Sequence, residues 1–133
     1  MNEYFQSSAI FTATGVGSAD VTYGYFIADA NLPGPDLAGC NWIEVQLSGA
    51  APSVTNNTPV MDVLIESSMD GTNYDTLITF TQVNTVAFRE RKSVLRTASV
   101  QLGRYLRVKM SVGTASTSTT YMPTVYILAG GNG

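Results

Sequence analysis

The sequence predicts an all-β fold, a single antiparallel β-sandwich or jelly roll of about eight or nine strands. Three observations carry this. Apolar and polar residues alternate with a period of two along most of the chain, while the 3.6-residue helical period is nearly absent. The alternating runs are short and regularly spaced, as in sandwiches and jelly rolls. Gly, Pro, Asn and Asp punctuate the gaps between them.

Residues 8–14 alternate around Ile10. Residues 21–28, VTYGYFIA, are rich in the aromatic and β-branched side chains that fit a pleated surface. In residues 41–48, Ile43, Val45 and Leu47 share one face, and Trp42, Glu44 and Gln46 take the other. Residues 60–67 set Met61, Val63 and Ile65 against Asp62, Leu64 and Glu66. Residues 74–80, 85–89 and 93–101 follow, with Arg89, Arg91 and Lys92 read as belonging to the connecting loop. Residues 104–112 alternate most clearly: Leu106, Val108, Met110 and Val112 point one way, Tyr105, Arg107, Lys109 and Ser111 the other. Residues 120–128 close the series. Pro123 has no amide proton to give, so that strand lies at an edge or begins after the proline. The expected core is Ile43, Val45, Leu47, Val63, Ile65, Leu106, Val108 and Met110.

Between these runs, Asp70-Gly71 is a hairpin signal, because glycine tolerates positive φ. Residues 31–36, NLPGPD, hold two prolines and cannot be regular structure. Residues 50–59 read as a long polar loop that includes the sequon Asn56-Asn57-Thr58, and residues 113–119, GTASTST, as a Ser/Thr-rich loop. Residues 129–133, AGGNG, read as a flexible tail. At 133 residues the chain is expected to form one domain, 1–133.

Charged residues make up 13% of the chain, against roughly 25% in an average domain. Such a sparse charge suits a β protein whose surface is partly hidden in an assembly, and suits a sparsely charged monomer less well. The lone Cys40 cannot form an internal disulfide and reads as a small buried hydrophobe beside Trp42. The N-terminal stretch has no basic segment followed by an apolar one, so no cleavable leader is expected and synthesis is placed in the cytoplasm. No run of apolar residues is long enough for a membrane helix, and no membrane partner is expected.

Charge is segregated along the chain. Residues 1–88 carry nine acids and no base, while residues 89–109 carry all seven Lys and Arg and one acid. One reading pairs basic strands laterally with acidic ones inside a sheet. A second makes the basic segment a complementary interface with another copy or another protein. Arg89, Arg91, Lys92, Arg107 and Lys109 are then the candidate interface residues. Nucleic acid is not an expected partner, because the net charge is −3 and the isoelectric point near 4.6.

Catalytic chemistry is poorly supplied. The chain has no histidine, which removes His-based triads and His zinc ligands, and one cysteine cannot build a thiolate metal site. No phosphate-binding glycine loop is present. Glu44, Asp62 and Glu66 are the carboxylates that could form a glycosidase pair, although strand carboxylates more commonly pair with basic neighbours. Residues 70–75, DGTNYD, could offer oxygens to calcium, but a turn stabilised by Asp and Asn accounts for them better. The chain is expected not to be an enzyme and to need no cofactor or metal.

Two stretches carry a family likeness: residues 63–80, VLIESSMDGTNYDTLITF, and residues 103–112, GRYLRVKMSV. The strand ending in Ser-x-Asp-Gly, with a later Arg-Tyr-φ-Arg-Val strand, resembles discoidin-like jelly rolls. It resembles more closely the small virion proteins of tailed phages, of the capsid decoration or cement type. That resemblance implies a non-enzymatic virion protein on the outer capsid surface, bound to the major capsid protein and self-associated, with a trimer favoured. The other reading is a carbohydrate- or receptor-binding module of a phage fibre or appendage.

Overall fold

In the computed structural model, residues 2–17, 20–25, 40–53, 58–97, 99–100 and 102–132 are described. They form ten strands: β1 (Asn2–Ile10), β2 (Ala13–Gly17), β3 (Asp20–Tyr25), β4 (Trp42–Gly49), β5 (Val60–Ser68), β6 (Asp75–Thr79), β7 (Phe88–Leu95), β8 (Tyr105–Gly113), β9 (Ala115–Tyr121) and β10 (Thr124–Asn132). No helix occurs among the described residues.

The pairing is nested. β1 pairs with β10, β2 with β9, β3 with β8, β4 with β7 and β5 with β6, every pair antiparallel. Both ends of the chain therefore form one long ribbon. Its register is unbroken from Asn2↔Asn132 to Gly15↔Thr119, and Phe11 N donates to Pro123 O (2.9 Å) across the bend between β1 and β2. A bulge between Gly15 and Gly17 shifts the register, and the shifted register is the same at Gly17↔Ala115 and from Asp20↔Val112 to Tyr25↔Arg107. Bulges bend a strand and raise its twist, and this one lies where the ribbon passes between sheets. Two further ladders, β10 with β4 and β8 with β5, roll the nested hairpin into sheets of order β1-β10-β4-β7 and β3-β8-β5-β6. Two such four-stranded antiparallel sheets, one ribbon running through both, are a jelly roll.

The two sheets enclose one core. All eight expected core residues are at most 1% exposed, joined by Met61, Leu102, Val112, Tyr121, Val125, Ile127 and Ala129. Tyr121 brings a hydroxyl into this apolar layer; it lies 3.0 Å from Pro59 O and from Asn84 O, so the buried donor is satisfied. Cys40 is buried, as its composition-based reading expects.

Several connections differ from the sequence reading. Residues 89–92, which the sequence reading places in a connecting loop, are the middle of β7; a charged run is compatible with a strand that has a neighbour on one side. Residues 113–119 are not a loop. The chain turns at Thr114 (φ 55°) and continues as β9, because Thr and Ser suit a half-exposed strand. Residues 8–14 are broken at Phe11–Thr12 by the ribbon's bend. The supposed flexible tail is strand: β10 runs to Asn132 with β1 on one side and β4 on the other, and Gly130 and Gly131 are buried. Glycine lacks a side chain to pack, but its backbone still fills a ladder. β10 begins just after Pro123 and is internal, so the proline stands outside the strand. The sequon's two asparagines, the prolines of residues 31–36 and residue 133 lie outside the described residues.

Candidate protein interface

The strand assignment decides where the basic segment goes. β7 belongs to one sheet and β8 to the other, so the five candidate interface residues do not form one patch. Arg89 and Arg91 alternate with residues that face the core side and therefore point outward from the β1-β10-β4-β7 sheet. Lys92 is in register with buried Val45 and points to the inner side of its edge strand. Its Nζ donates to Thr79 O on β6 (2.7 Å) and lies 3.5 Å from Glu90. Arg107 and Lys109 are on the outer face of the opposite sheet.

Arg107 is not a free outward charge. Its Nε is 2.8 Å from Glu66 Oε1 on the neighbouring strand β5, and both side chains are largely covered. Its guanidinium stacks 3.7 Å from the Tyr74 ring centroid and 4.3 Å from that of Tyr23. A planar, delocalised cation suits this position in a way that an ammonium does not. Arg91 Nε likewise sits 3.2 Å from Glu44 Oε1, between β7 and β4. The lateral pairing of basic with acidic strands is thus realised at both places. Among the proposed catalytic carboxylates, Glu44 and Glu66 are held by arginines on different sheets, and Asp62 accepts from Gln82 Nε2 (3.1 Å). They do not converge on one point.

The 70–75 segment is a side-chain-stapled turn. Gly71 takes φ 77°, and Asp70 Oδ1 accepts from Thr72 N and Asn73 N, both at 2.8 Å, and from Ser68 Oγ at 2.9 Å. Asn73 Nδ2 donates to Oδ2 at 2.8 Å. The Asn73 and Thr72 backbone amides, with the Asn73 and Ser68 side chains, hold the Asp70 carboxyl well below the usual carboxylate range. Its oxygens are engaged by donors, as in an Asx turn.

The surface with the features of a contact site is the outer face of the β1-β10-β4-β7 sheet. Val125, Ile127 and Ala129 face the core, so Thr124, Tyr126 and Leu128 face out; on β4, Trp42, Glu44 and Gln46 do the same. Tyr126 is flanked by Ser8 and Gln46 and is 47% exposed. Ile10 is in register with Thr124 and is 68% exposed; Met122, just before β10, is 60% exposed. Cross-strand diagonals lie within side-chain reach, so Met122, Ile10 and Tyr126 form an apolar stripe. Beside it a shallow cleft of about 430 Å³ is lined by Glu44, Gln46, Arg89, Arg91, Tyr126 and Leu128. Tyr, Met and Arg around an apolar strip, with charge to one side, are the composition of protein contact surfaces. Sequence reading missed this stripe because Ile10 and Met122 belong to opposite ends of the chain. The outward phase of Tyr126, between the apolar residues 125 and 127, was the one local sign of it.

No family model matches the chain, and a search of curated proteins finds no match. Among solved structures, the fold is similar to a chain of the cowpea mosaic virus top component, naturally occurring empty particles. Identity is 13% over 92% of this chain and 84% of that one, with a TM-score of 0.51. Similarity also extends to Bacillus endospore appendages that form disulfide-linked pili (10% identity, 99% and 92% coverage, TM-score 0.44). A third is the family 11 carbohydrate-binding module from Clostridium thermocellum in complex with a mixed-linked tetrasaccharide (10%, 96% and 87%, TM-score 0.36). At these identities the likeness is one of fold, and the first agrees with the jelly-roll topology.

Proposed function

We propose that this chain is a non-enzymatic virion structural protein, a capsid decoration protein that binds the major capsid protein on the outer surface of the shell, stabilises the shell and associates with itself. The observation that carries this reading is the outer face just described: an apolar stripe of Met122, Ile10 and Tyr126 bordered by the Arg91–Glu44 pair. It is a broad shallow surface, suited to another protein. A jelly roll like that of a virus particle is consistent with the role, although one fold serves many functions. Repeated by the symmetry of a shell, a modest contact of this kind gains strength through multivalency.

Co-sedimentation with viral capsids tests the proposal. The purified chain is expected to pellet with shells, and Tyr126→Ala combined with Arg91→Glu to remove it from the pellet. A chain that stays in the supernatant with capsids from its own gene neighbourhood counts against it. One observation favours a second reading, a carbohydrate-binding module of a phage appendage: exposed Tyr126 beside Gln46 and Glu44 in the cleft offers a ring to stack on a sugar and planar polar groups to orient it. Saturable, sugar-specific binding on a glycan array, abolished by Tyr126→Ala, would favour that reading.

A further inference from the structure

Among the described residues the sandwich has two open sides, and the chain treats their strand edges differently. On one side lie β6 and β7. Glu90 and Lys92 occupy inward positions of β7, in register with buried Leu47 and Val45. The Glu90 carboxylate accepts from Thr81 N (3.1 Å) and Thr81 Oγ1 (3.3 Å), and Lys92 Nζ donates to Thr79 O (2.7 Å). Backbone groups at the rim of β6 are thus taken by side chains of the same chain, and β6 is five residues long. Inward charges and a short edge strand are devices that stop another strand from adding.

On the other side the edges are β1 and β3. β1 is nine residues long, contains no Pro, Lys or Arg, and has one charge, Glu3, near its start. Among the described residues no strand pairs with its far side. The phase of its ladder follows from the Phe11 N to Pro123 O bond. Antiparallel ladders alternate bonded and non-bonded pairs, so Ser7 and Ala9 spend their amides on β10. Tyr4, Gln6, Ser8 and Ile10 aim theirs away from the sheet.

We propose that β1 pairs antiparallel with β1 of a second copy of this chain, joining their four-stranded sheets into one continuous sheet across a two-fold axis. The strand is complementary to itself in charge. Pairing about Ser7, so that Tyr4, Gln6, Ser8 and Ile10 of one copy lie opposite Ile10, Ser8, Gln6 and Tyr4 of the other, carries the two Glu3 residues to opposite ends of the shared ladder, where neither faces the other. Because the β7 end of each sheet is closed by its own charges, the contact ends at two copies and does not grow into a fibre. The pair replaces the trimer that the family resemblance implies, and it stands whether or not the chain binds a shell.

The test is the mass in solution of two proline variants. Ser8→Pro removes an amide that the isolated fold does not use, on an exposed residue of an edge strand. Ser7→Pro removes one that bonds β10. The wild type is expected to sediment as a dimer, Ser8→Pro as a monomer that melts as dilute, dissociated wild type does, and Ser7→Pro to lose stability beyond that. A wild type that stays monomeric up to millimolar concentration, or a Ser8→Pro chain that remains dimeric, overturns the proposal. Should Ser8→Pro fail to fold, hydrogen exchange on the wild type decides. The Gln6, Ser8 and Ile10 amides are expected to be as protected as those of Ser7 and Ala9 in concentrated samples, and to lose that protection on dilution. Fast exchange at the even positions at every concentration overturns it.

Discussion

Replacing Arg107 with alanine removes three contacts at once. The first is the charge-assisted bond to Glu66 at 2.8 Å, with side chains only 20% and 10% exposed, and such bonds contribute about 1.5–3 kcal/mol. The other two are the stacks on Tyr74 and Tyr23 at 3.7 and 4.3 Å, each contributing about 0.5–1 kcal/mol at partly exposed sites. The variant also leaves the Glu66 carboxylate covered without its cation, which adds to the cost. The rotamer entropy that Arg107 loses on folding is no longer lost by alanine, which offsets part of the sum, so the expected loss is about 3 kcal/mol. For a chain of this length that lowers the melting temperature by about 10 °C. Calorimetry measures it, and a double-mutant cycle with Glu66→Gln separates the ion pair from the stacks. Arg107→Lys keeps the charge and loses the plane, so it should recover less than half of the loss. A melting temperature within a degree or two of wild type for Arg107→Ala would show that the cluster is a surface ornament and that the reasoning is wrong.

Val108→Asp buries a charge in the centre of the core and should cost about 4 kcal/mol or unfold the chain, read by denaturant titration. Tyr121→Phe should cost about 1–3 kcal/mol by leaving the carbonyls of Pro59 and Asn84 without their donor. Burial pushes the Tyr121 phenol up, so the unfolded chain releases that proton first, and wild-type stability should fall as pH rises above about 10; Tyr121→Phe should flatten that fall in alkaline melts. The depressed Asp70 carboxyl contributes stability that is full above about pH 4 and lost as pH falls further, so the melting curves of wild type and Asp70→Asn should converge in acid. Charge reversal should separate neighbours on β7: Arg91→Glu, 64% exposed, should leave the isolated chain's melting temperature nearly unchanged, whereas Lys92→Glu should lower it by setting a second carboxylate beside Glu90 and Thr79 O.

How far the site could be read in the sequence differs residue by residue. Arg107 and Lys109 were placed on the outward phase of their strand, and that phase holds. That Arg107 would be roofed by Tyr23 and Tyr74 and tied to Glu66 was not legible, because β3, β5 and the turn before β6 meet it only after β8 has chosen its partners. The run 89–109 reads as one basic segment because sequence is one-dimensional. The fold sends its two strands to opposite sheets, and the patch dissolves.

The core was legible for the opposite reason. Alternation is set by the pleat of a single strand, so Ile43, Val45, Leu47, Val63, Ile65, Leu106, Val108 and Met110 declare their face without reference to any neighbour. Asp70-Gly71 declares its turn through local hydrogen bonds and a positive φ. Those features, and with them the all-β class, belong to the sequence by itself. Partner choice does not. A backbone amide bonds any carbonyl presented to it, so nothing in GTASTST or AGGNG says that they are strands until β2, β1 and β4 lie alongside. The tertiary structure alone decided that the chain's two ends form one ribbon, that a glycine-rich terminus fills the middle of a sheet, and that every second amide of β1 faces outward.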